Sequence, residues 1–493
     1  MVKRMNEMYG ELEINNYHLL KYSLLFDFFY YFSSIDIYGL PIAQCLAGQF
    51  LTHIQQFVDR NRLNQHLLRK LMNEQKFQTM GDINEKLISF ENITPVTIQK
   101  NNRAILLSDV YYPFAKEQLT EYEVTLYGVS HKESHSISQP HKEYLFREEL
   151  KKINNNVVNI QKTILKEEME HTIKKLPNHY YFKTKIFEEW LLKSSMNIIN
   201  WLFILDQLLL KVRPSVIIDP AEASVYATIL GLLSKKYQIP FINMPIYTIG
   251  DRNLIPSRAD YYFVWGKNQK NWLINRKIKA SNIFETGNIY FFYESKKMGI
   301  SKAYFIKKLN IPSDHWIIGF TSQPFPDTND KIEEWINAIP DNLPVTILVK
   351  KHRNDQYGYS RLNKKKNVKI LSDDIPLYDF LTHINYLMTI SSTTAFEAAI
   401  KGKPLLILQP KIPYHYQLNH SESNAYLAKN NAGEIIYNAQ DLRQAVQRIS
   451  FDLQYTSELT EKSKKFLDDS LLPITNVPVI VKSSIEEILK KHN

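Results

Sequence analysis

A single cysteine, Cys45, in 493 residues excludes an internal disulfide framework and a cysteine-based metal site, and it fits a reducing compartment. The start, "MVKRMNEMYGELEINNYHLL", lacks the continuous apolar stretch of a secretory leader. Long apolar runs are missing too. The most hydrophobic segment, "YSLLFDFFYYFSSIDIYGLPIAQCLAGQF", carries Asp27, Asp36 and Pro41 where a spanning helix needs about 20 apolar residues. It reads as buried protein, with peripheral contact at the inner face of a membrane left open, so the expected location is cytoplasmic. A zinc finger, an RNP-like aromatic motif and a basic helix with interleaved aromatics are all absent, which argues against nucleic acid as a partner.

What is present is enough for a large core: 44% hydrophobic and 12% aromatic residues. At about 100–200 residues per domain, the length implies two or more domains. The net charge of +10 favours anionic partners such as nucleotides, acidic glycans or phospholipid headgroups, although the lysines are dispersed. The run "RLNKKKNVK" reads as an exposed loop.

Three textures follow one another. Residues 1–100 read as a mainly helical extension, with apolar residues at helical spacing in "FLTHIQQFVDRNRLNQHLLRKLM". From 101 to 290, "RAILLSD" (103–109), "YEVTLYGVS" (122–130), "SVIID" (215–219) and "IPFINMP" (239–245) read as strands separated by helices. From 291 to 475 the pattern restarts, with strands expected in "HWIIGFTSQP", "PVTILVKKH", "NVKIL", "INYLMTISS" and "KPLLILQP". Strand–helix–strand alternation implies parallel pairing through right-handed crossovers. The expectation is α/β, two successive Rossmann-like doubly wound domains, with a C-terminal helix over 476–493 that crosses back to the first of them.

In such sheets ligands sit beyond the carboxyl ends of the strands. There the second domain offers Thr321, Ser322 and Gln323, then Lys350, Lys351, His352 and Arg353, then Ser391, Ser392, Thr393 and Thr394, with Glu397 one turn into the next helix. Small hydroxyls at a helix start leave room for a phosphate and add donors. His352 and Arg353 would supply positive charge to the same group, and Glu397 would accept from the hydroxyls of a ribose. A second reading is open: "TAFE", Thr394 to Glu397, is a capping box and Gly402 a helix stop, which together describe an ordinary core helix.

The segments "YYFVWGKNQKNWLI…ASNIFETGN", "TSQP", "VKKHRND" and "SSTTAFEAAIKGKPLLIL" resemble the nucleotide-binding half of GT-B glycosyltransferases. The similarity is to the bacterial surface-polysaccharide group: capsule transferases of the Kdo and polysialic acid type, CDP-glycerol glycerophosphotransferases and UDP-GlcNAc 2-epimerases. It covers about half of the chain and stops short of the first 100 residues. It implies two Rossmann-like domains facing a cleft, a nucleotide-sugar donor (a CMP- or UDP-sugar) on the second and a glycan or lipid-linked acceptor on the first. Ser391, Ser392, Thr393, Glu397 and His352 would hold donor phosphates and ribose. Arg353 stands where the family usually has proline, and "MPIYTIG" where it often has a Gln-His-Gly-like turn.

A transferase needs a base within reach of the acceptor hydroxyl. Strand ends of the first domain offer Asp109 in "LLSDV", and Asp219 and Glu222 in "IIDPAEAS"; loop or helix capping is the competing role for each. "VSHKESHSISQPHKEY" adds His131, His135 and His141 in a loop expected to face the cleft, with His131 as a further base candidate. No carboxylate or cysteine cluster accompanies these histidines and no D-x-D triplet stands at a strand end, so neither a metal site nor any other cofactor is expected. An epimerase remains open as an alternative, as does a polyol phosphate transferase of the CDP-glycerol type. So does a nucleotide-sugar binding protein without catalysis.

Overall fold

The computed structural model describes residues 12–129, 141–176, 178–297, 299–417 and 426–492. Two compact units emerge. The first comprises Leu12–Val264, Lys270–Tyr290 and Ile474–Asn493, and the second Trp265–Gln269 with Phe291–Pro473.

The first unit is built on seven parallel strands: β1 (Asn101–Ser108), β2 (Glu123–Gly128), β3 (Lys142–Leu145), β4 (Pro214–Asp219), β5 (Phe241–Asn243), β6 (Tyr261–Val264) and β7 (Ile283–Glu285). Their order is 3-2-1-4-5-6-7. Ile105, Leu106 and Leu107 pair with Val124, Thr125 and Leu126 on one side and with Val216, Ile217 and Ile218 on the other. These apolar runs are buried on both faces, as a parallel sheet covered by helices requires.

The second unit repeats the plan with β8 (Trp316–Thr321), β9 (Val345–Lys350), β10 (Val368–Ile370), β11 (Tyr386–Thr389), β12 (Leu405–Leu408) and β13 (Glu434–Ile436) in the order 10-9-8-11-12-13. In both sheets the order reverses beside the first strand, so the loops after β1 and β4, and after β8 and β11, diverge and leave room at the carboxyl edge. The short strands β3, β6, β7 and β13 are the ones the sequence reading does not name. Three or four residues carry too little periodicity to be told from a loop.

The helices of the two units include α1 (Asn16–Tyr31), α2 (Lys185–Val212), α3 (Val225–Lys236), α4 (Thr394–Ile400), α5 (Leu453–Ser470) and α6 (Val477–His492). The N-terminal helices belong to the first unit. Asn15 caps α1 by accepting from the His18 amide at 2.9 Å. Phe28 of α1 stacks on Phe50 with ring centroids 4.4 Å apart, inside a cluster with Phe182 and Phe187. Buried ion pairs add direction to this apolar packing. Arg258 Nε meets Glu91 Oε1 at 2.7 Å, and Arg276 Nε meets Asp251 Oδ1 at 3.0 Å. Deleting one partner of such a pair would strand a buried charge.

Helix α6 also lies on the first unit, where Lys482 pairs with Glu121 at 2.5 Å and the Tyr261 hydroxyl meets His492 Nε2 at 2.9 Å. Among the described residues, α2 is the one helix long and apolar enough to cross a membrane. It buries Leu191, Ile198, Leu202, Leu205 and Leu209 at helical spacing within the unit. The segment that the sequence reading singles out as most hydrophobic is likewise largely buried.

The helix Ala47–His53 approaches the loop after β4 so closely that a Cβ on Gly48 would stand 2.1 Å from the Ala223 carbonyl oxygen. Gly48→Ala is expected to destabilise the first unit by about 1–3 kcal/mol through overpacking, read as a lowered denaturation midpoint, whereas Gln49→Ala on the same helix leaves the midpoint unchanged.

Candidate functional site

In the second unit the expected donor residues gather at the carboxyl ends of three neighbouring strands, since β8 pairs with β9 on one side and β11 on the other. The loop after β9 is organised by a residue that the sequence reading passes over, Asp355. Its carboxylate is buried and accepts from the Ser322 hydroxyl (2.6 Å), Asn329 Nδ2 (2.9 Å), the Tyr357 amide (2.9 Å) and the Tyr359 hydroxyl (3.0 Å). Ser322 Oγ in turn accepts from the His352 amide at 2.9 Å. Ser322 thus holds the histidine loop and is itself buried. The available signal was the Asn-Asp pair in "HRNDQ", a combination that favours a side-chain-stabilised turn.

His352 is exposed at the tip of this loop, and its Nδ1 accepts from the Asn354 amide at 3.1 Å. In the neutral ring the proton therefore resides on Nε2, which is a donor. Partial burial and neighbouring Arg353 lower its pKa, with Asp355 opposing. Arg353 is exposed beside it. Lys350 turns aside: its Nζ donates to the Ile375 carbonyl at 2.6 Å. Lys351 donates to the Tyr357 carbonyl at 2.8 Å. Gln323 contributes its backbone carbonyl, which accepts from Asn329 Nδ2 at 2.6 Å.

After β11 the four hydroxyls divide in two. Thr394 is buried and its Oγ1 lies 3.0 Å from Thr321 Oγ1, which donates to Thr389 Oγ1 at 3.2 Å, so it ties strand ends together. Ser392 Oγ accepts from the Thr394 amide at 3.2 Å. Thr393 is the N-cap residue of α4 and makes no side-chain capping bond. The "TAFE" capping box does not form. Ser391, Ser392 and Thr393 all remain partly accessible. Gly402, at φ +69°, ends the segment in the left-handed conformation that suits glycine. Glu397 is buried within α4, and burial raises its pKa to about 7, with Tyr378 and Lys401 opposing and Glu294 reinforcing.

In the first unit the three carboxylate candidates part company. Asp219, at the end of β4, is fully buried; it accepts from the Tyr127 hydroxyl at 2.5 Å and the Ala221 amide at 2.8 Å, an Asx-type turn. Burial lifts its pKa to about 7. Glu222 is buried as well, and its Oε2 accepts from the backbone amides of Arg258 and Ala259, the latter at 3.0 Å; burial again gives about 7. Both fasten loops. Asp109, directly after β1, is partly exposed and near enough to Asp219 to raise its pKa further. Its carboxylate lies over Gly128 at the end of β2, where a Cβ would stand 2.4 Å from Oδ2.

Of the three loop histidines, His141 departs from expectation. A parallel crossover returns the chain to the amino ends of the strands, so His141, immediately before β3, lies at the opposite edge from Asp109 and Asp219. It is buried, and burial lowers its pKa. His131 and His135 lie outside the described residues. Among the described residues no group of three or more His, Cys, Asp or Glu is placed to hold a metal ion.

Comparison with known proteins adds three findings. Residues 293–412 match the family model "Capsule polysaccharide biosynthesis protein". No curated protein sequence matches the chain. Among solved structures, a UDP-N-acetylglucosamine 2-epimerase superposes with TM-score 0.50 at 14% identity, covering 79% of this chain and 96% of its own. MnaA of S. aureus, solved with UDP, gives TM-score 0.49 at 14% identity over 79% and 97%. The wall teichoic acid polymerase TagF gives 0.46 at 12% identity over 89% and 98%. At 14% identity the likeness to the epimerase is one of fold. Residues 293–412, which resemble that capsule polysaccharide biosynthesis model, contribute β8 to β12 of the second sheet, and the chain as a whole has two Rossmann-like parallel sheets in the GT-B fold of the epimerase.

Proposed function

We propose that the protein is a metal-independent glycosyltransferase of bacterial surface polysaccharide synthesis, with a CMP- or UDP-sugar donor on the second unit and a glycan or lipid-linked acceptor on the first. The observation that carries this reading lies inside the matched domain. Thr393 starts α4 without a capping bond of its own, beside partly accessible Ser391 and Ser392, while the hydrogen-bonded loop after β9, two strands along the same sheet edge, presents His352 and Arg353. Hydroxyl and cationic donors in this arrangement suit a nucleotide phosphate. Glu397 would take the ribose hydroxyls.

In the transfer, the acceptor hydroxyl oxygen bonds to the anomeric carbon, its proton passes to a base, and the bond from that carbon to the nucleotide phosphate breaks with its electron pair leaving on the phosphate. His352, Arg353 and the hydroxyl cluster would stabilise that charge. Asp109 is the base this reading favours, because it is the accessible member of the three carboxylates. The same observation weighs against an epimerase, which needs several carboxylates converging on one sugar: Asp219 and Glu222 are committed to loop contacts.

Calorimetry against CMP, CDP, UDP and GDP tests the donor site. Selective binding of one nucleotide, weakened about tenfold or more in His352→Ala and in Glu397→Ala, is expected from loss of charge-assisted contacts; the absence of binding by every nucleotide would refute the reading. Affinity should also depend on pH. Ionised Glu397 accepts from both ribose hydroxyls, and more strongly than its protonated form, so binding strengthens as pH rises through about 7 and this rise is flattened in Glu397→Gln. The pKa is raised above the ordinary 4.5, so ionising Glu397 costs the folded state: its contribution to stability declines from about pH 4.5 to 7 even as ligand affinity grows.

The base assignment has its own test, release of nucleotide from the donor that calorimetry selects. Asp109→Asn should lower turnover by about 10²-fold or more. Gly128→Ala, which displaces the Asp109 carboxylate, should lower turnover while nucleotide affinity stays unchanged. Full activity in both variants would remove Asp109 from the mechanism.

A further inference from the structure

Away from these strand ends, the helical part of the first unit contains a pocket of about 350 Å³, bordered by Phe26, Asp27, Tyr30 and Tyr31 of α1, Lys70, Glu74 and Gln75 of the helix Gln65–Gln75, and the turn Asn178–Tyr180. The volume is at the lower end of the about 300–1,000 Å³ usual for small-molecule sites. We propose that this pocket binds one neutral sugar unit of a glycan.

The argument begins with Asp27. Gln75 Nε2 donates to its Oδ1 at 2.9 Å and His179 Nε2 to its Oδ2 at 3.2 Å. The histidine tautomer is fixed from behind, since Nδ1 accepts from the amides of Tyr181 and Phe182, both at 3.1 Å. The carboxylate is thereby held in one orientation, and each oxygen keeps a second lone pair for a further donor. Around it stand rings in edge-to-face array: Tyr30 against Tyr31 at 5.2 Å and 77°, and Tyr31 against His179 at 6.0 Å and 71°. Tyr30 is 60% exposed, an unusual setting for a large ring that contributes little to the core.

A sugar ring matches both halves of this surface. Its C–H faces stack on aromatic rings, and its hydroxyls donate to an oriented carboxylate and exchange hydrogen bonds with the amides of Gln75 and Asn178. Charge selects the class. Asp27 and Glu74 outweigh Lys70, which already pairs with Glu74 at 3.8 Å, so a uronic or sialic acid would meet net repulsion. The inference draws on the reading of the chain as a polysaccharide enzyme for the origin of the glycan; the pocket shares no residue with the donor and base sets.

The test is saturation-transfer NMR on the full chain without nucleotide, using glucose, galactose, N-acetylglucosamine and glucuronic acid, with choline as a cationic probe for the same rings. Transfer to at least one neutral sugar is expected, with affinity reduced about three- to tenfold in Tyr30→Ala, as loss of one aromatic contact would give. Binding of glucuronic acid should be absent, and choline, which the same carboxylates and rings attract, should bind more weakly than the neutral sugar. Nucleotide calorimetry on the same variant should be unchanged, which separates failure of this site from failure of the donor site. The proposal is overturned if no neutral sugar binds, if binding is indifferent to Tyr30→Ala, or if choline binds more tightly than every neutral sugar. Circular dichroism of Tyr30→Ala, an exposed position, confirms that any loss is not unfolding.

Discussion

A carboxylate taken out of water must gather donors or give up its charge, and both sheets use that constraint at their carboxyl edges. Asp355 in the second unit collects two hydroxyls, an amide side chain and a backbone amide. Asp219 and Glu222 in the first collect two phenols and three backbone amides between them. Each set fixes a loop that the strands alone would leave unspecified. Without Asp355, Ser322 would lose its acceptor and the His352 amide its anchored partner. The cationic loop of the proposed donor site thus rests on a residue that is itself buried.

The cost of these arrangements is visible in protonation. Asp219, Glu222 and Glu397 each have pKa values near 7, pushed up chiefly by burial. Carboxyl groups poised near neutrality are common at functional sites and in structural networks alike, so geometry has to decide. Here it separates them: Asp219 and the Oε2 of Glu222 accept from amides and hydroxyls that fasten loops, while Glu397 sits in the helix that follows the accessible hydroxyls. Asp109, resting on Gly128, is the partly exposed member of the three strand-end carboxylates of the first unit.

Residues 12–91, which lack any strand pattern in sequence, are integral to the first unit. Aromatic packing around Phe28 and buried pairs such as Arg258 with Glu91 bind them to it. That helical part also brings Asp27, Gln75 and His179 together from positions far apart in the chain. The C-terminal helix joins the same unit through Lys482 and His492.

The long β-strands and their parallel alternation were legible from sequence, because runs such as Ile105–Leu107 or Ile347–Val349 are apolar on both faces and bounded by polar turns. So was the concentration of hydroxyl and basic residues at strand ends, since chain order alone places those residues after strands. Tertiary structure decided which of them are available. Ser322, Thr394 and Lys350 look in sequence like His352 and Thr393, yet hydrogen bonds to residues remote in the chain occupy the first three. The capping box failed for the same reason: Thr394 found Thr321 across the sheet. Periodicity reports which way a side chain faces, whereas the partner it meets there depends on which strands become neighbours, and local sequence does not encode that order.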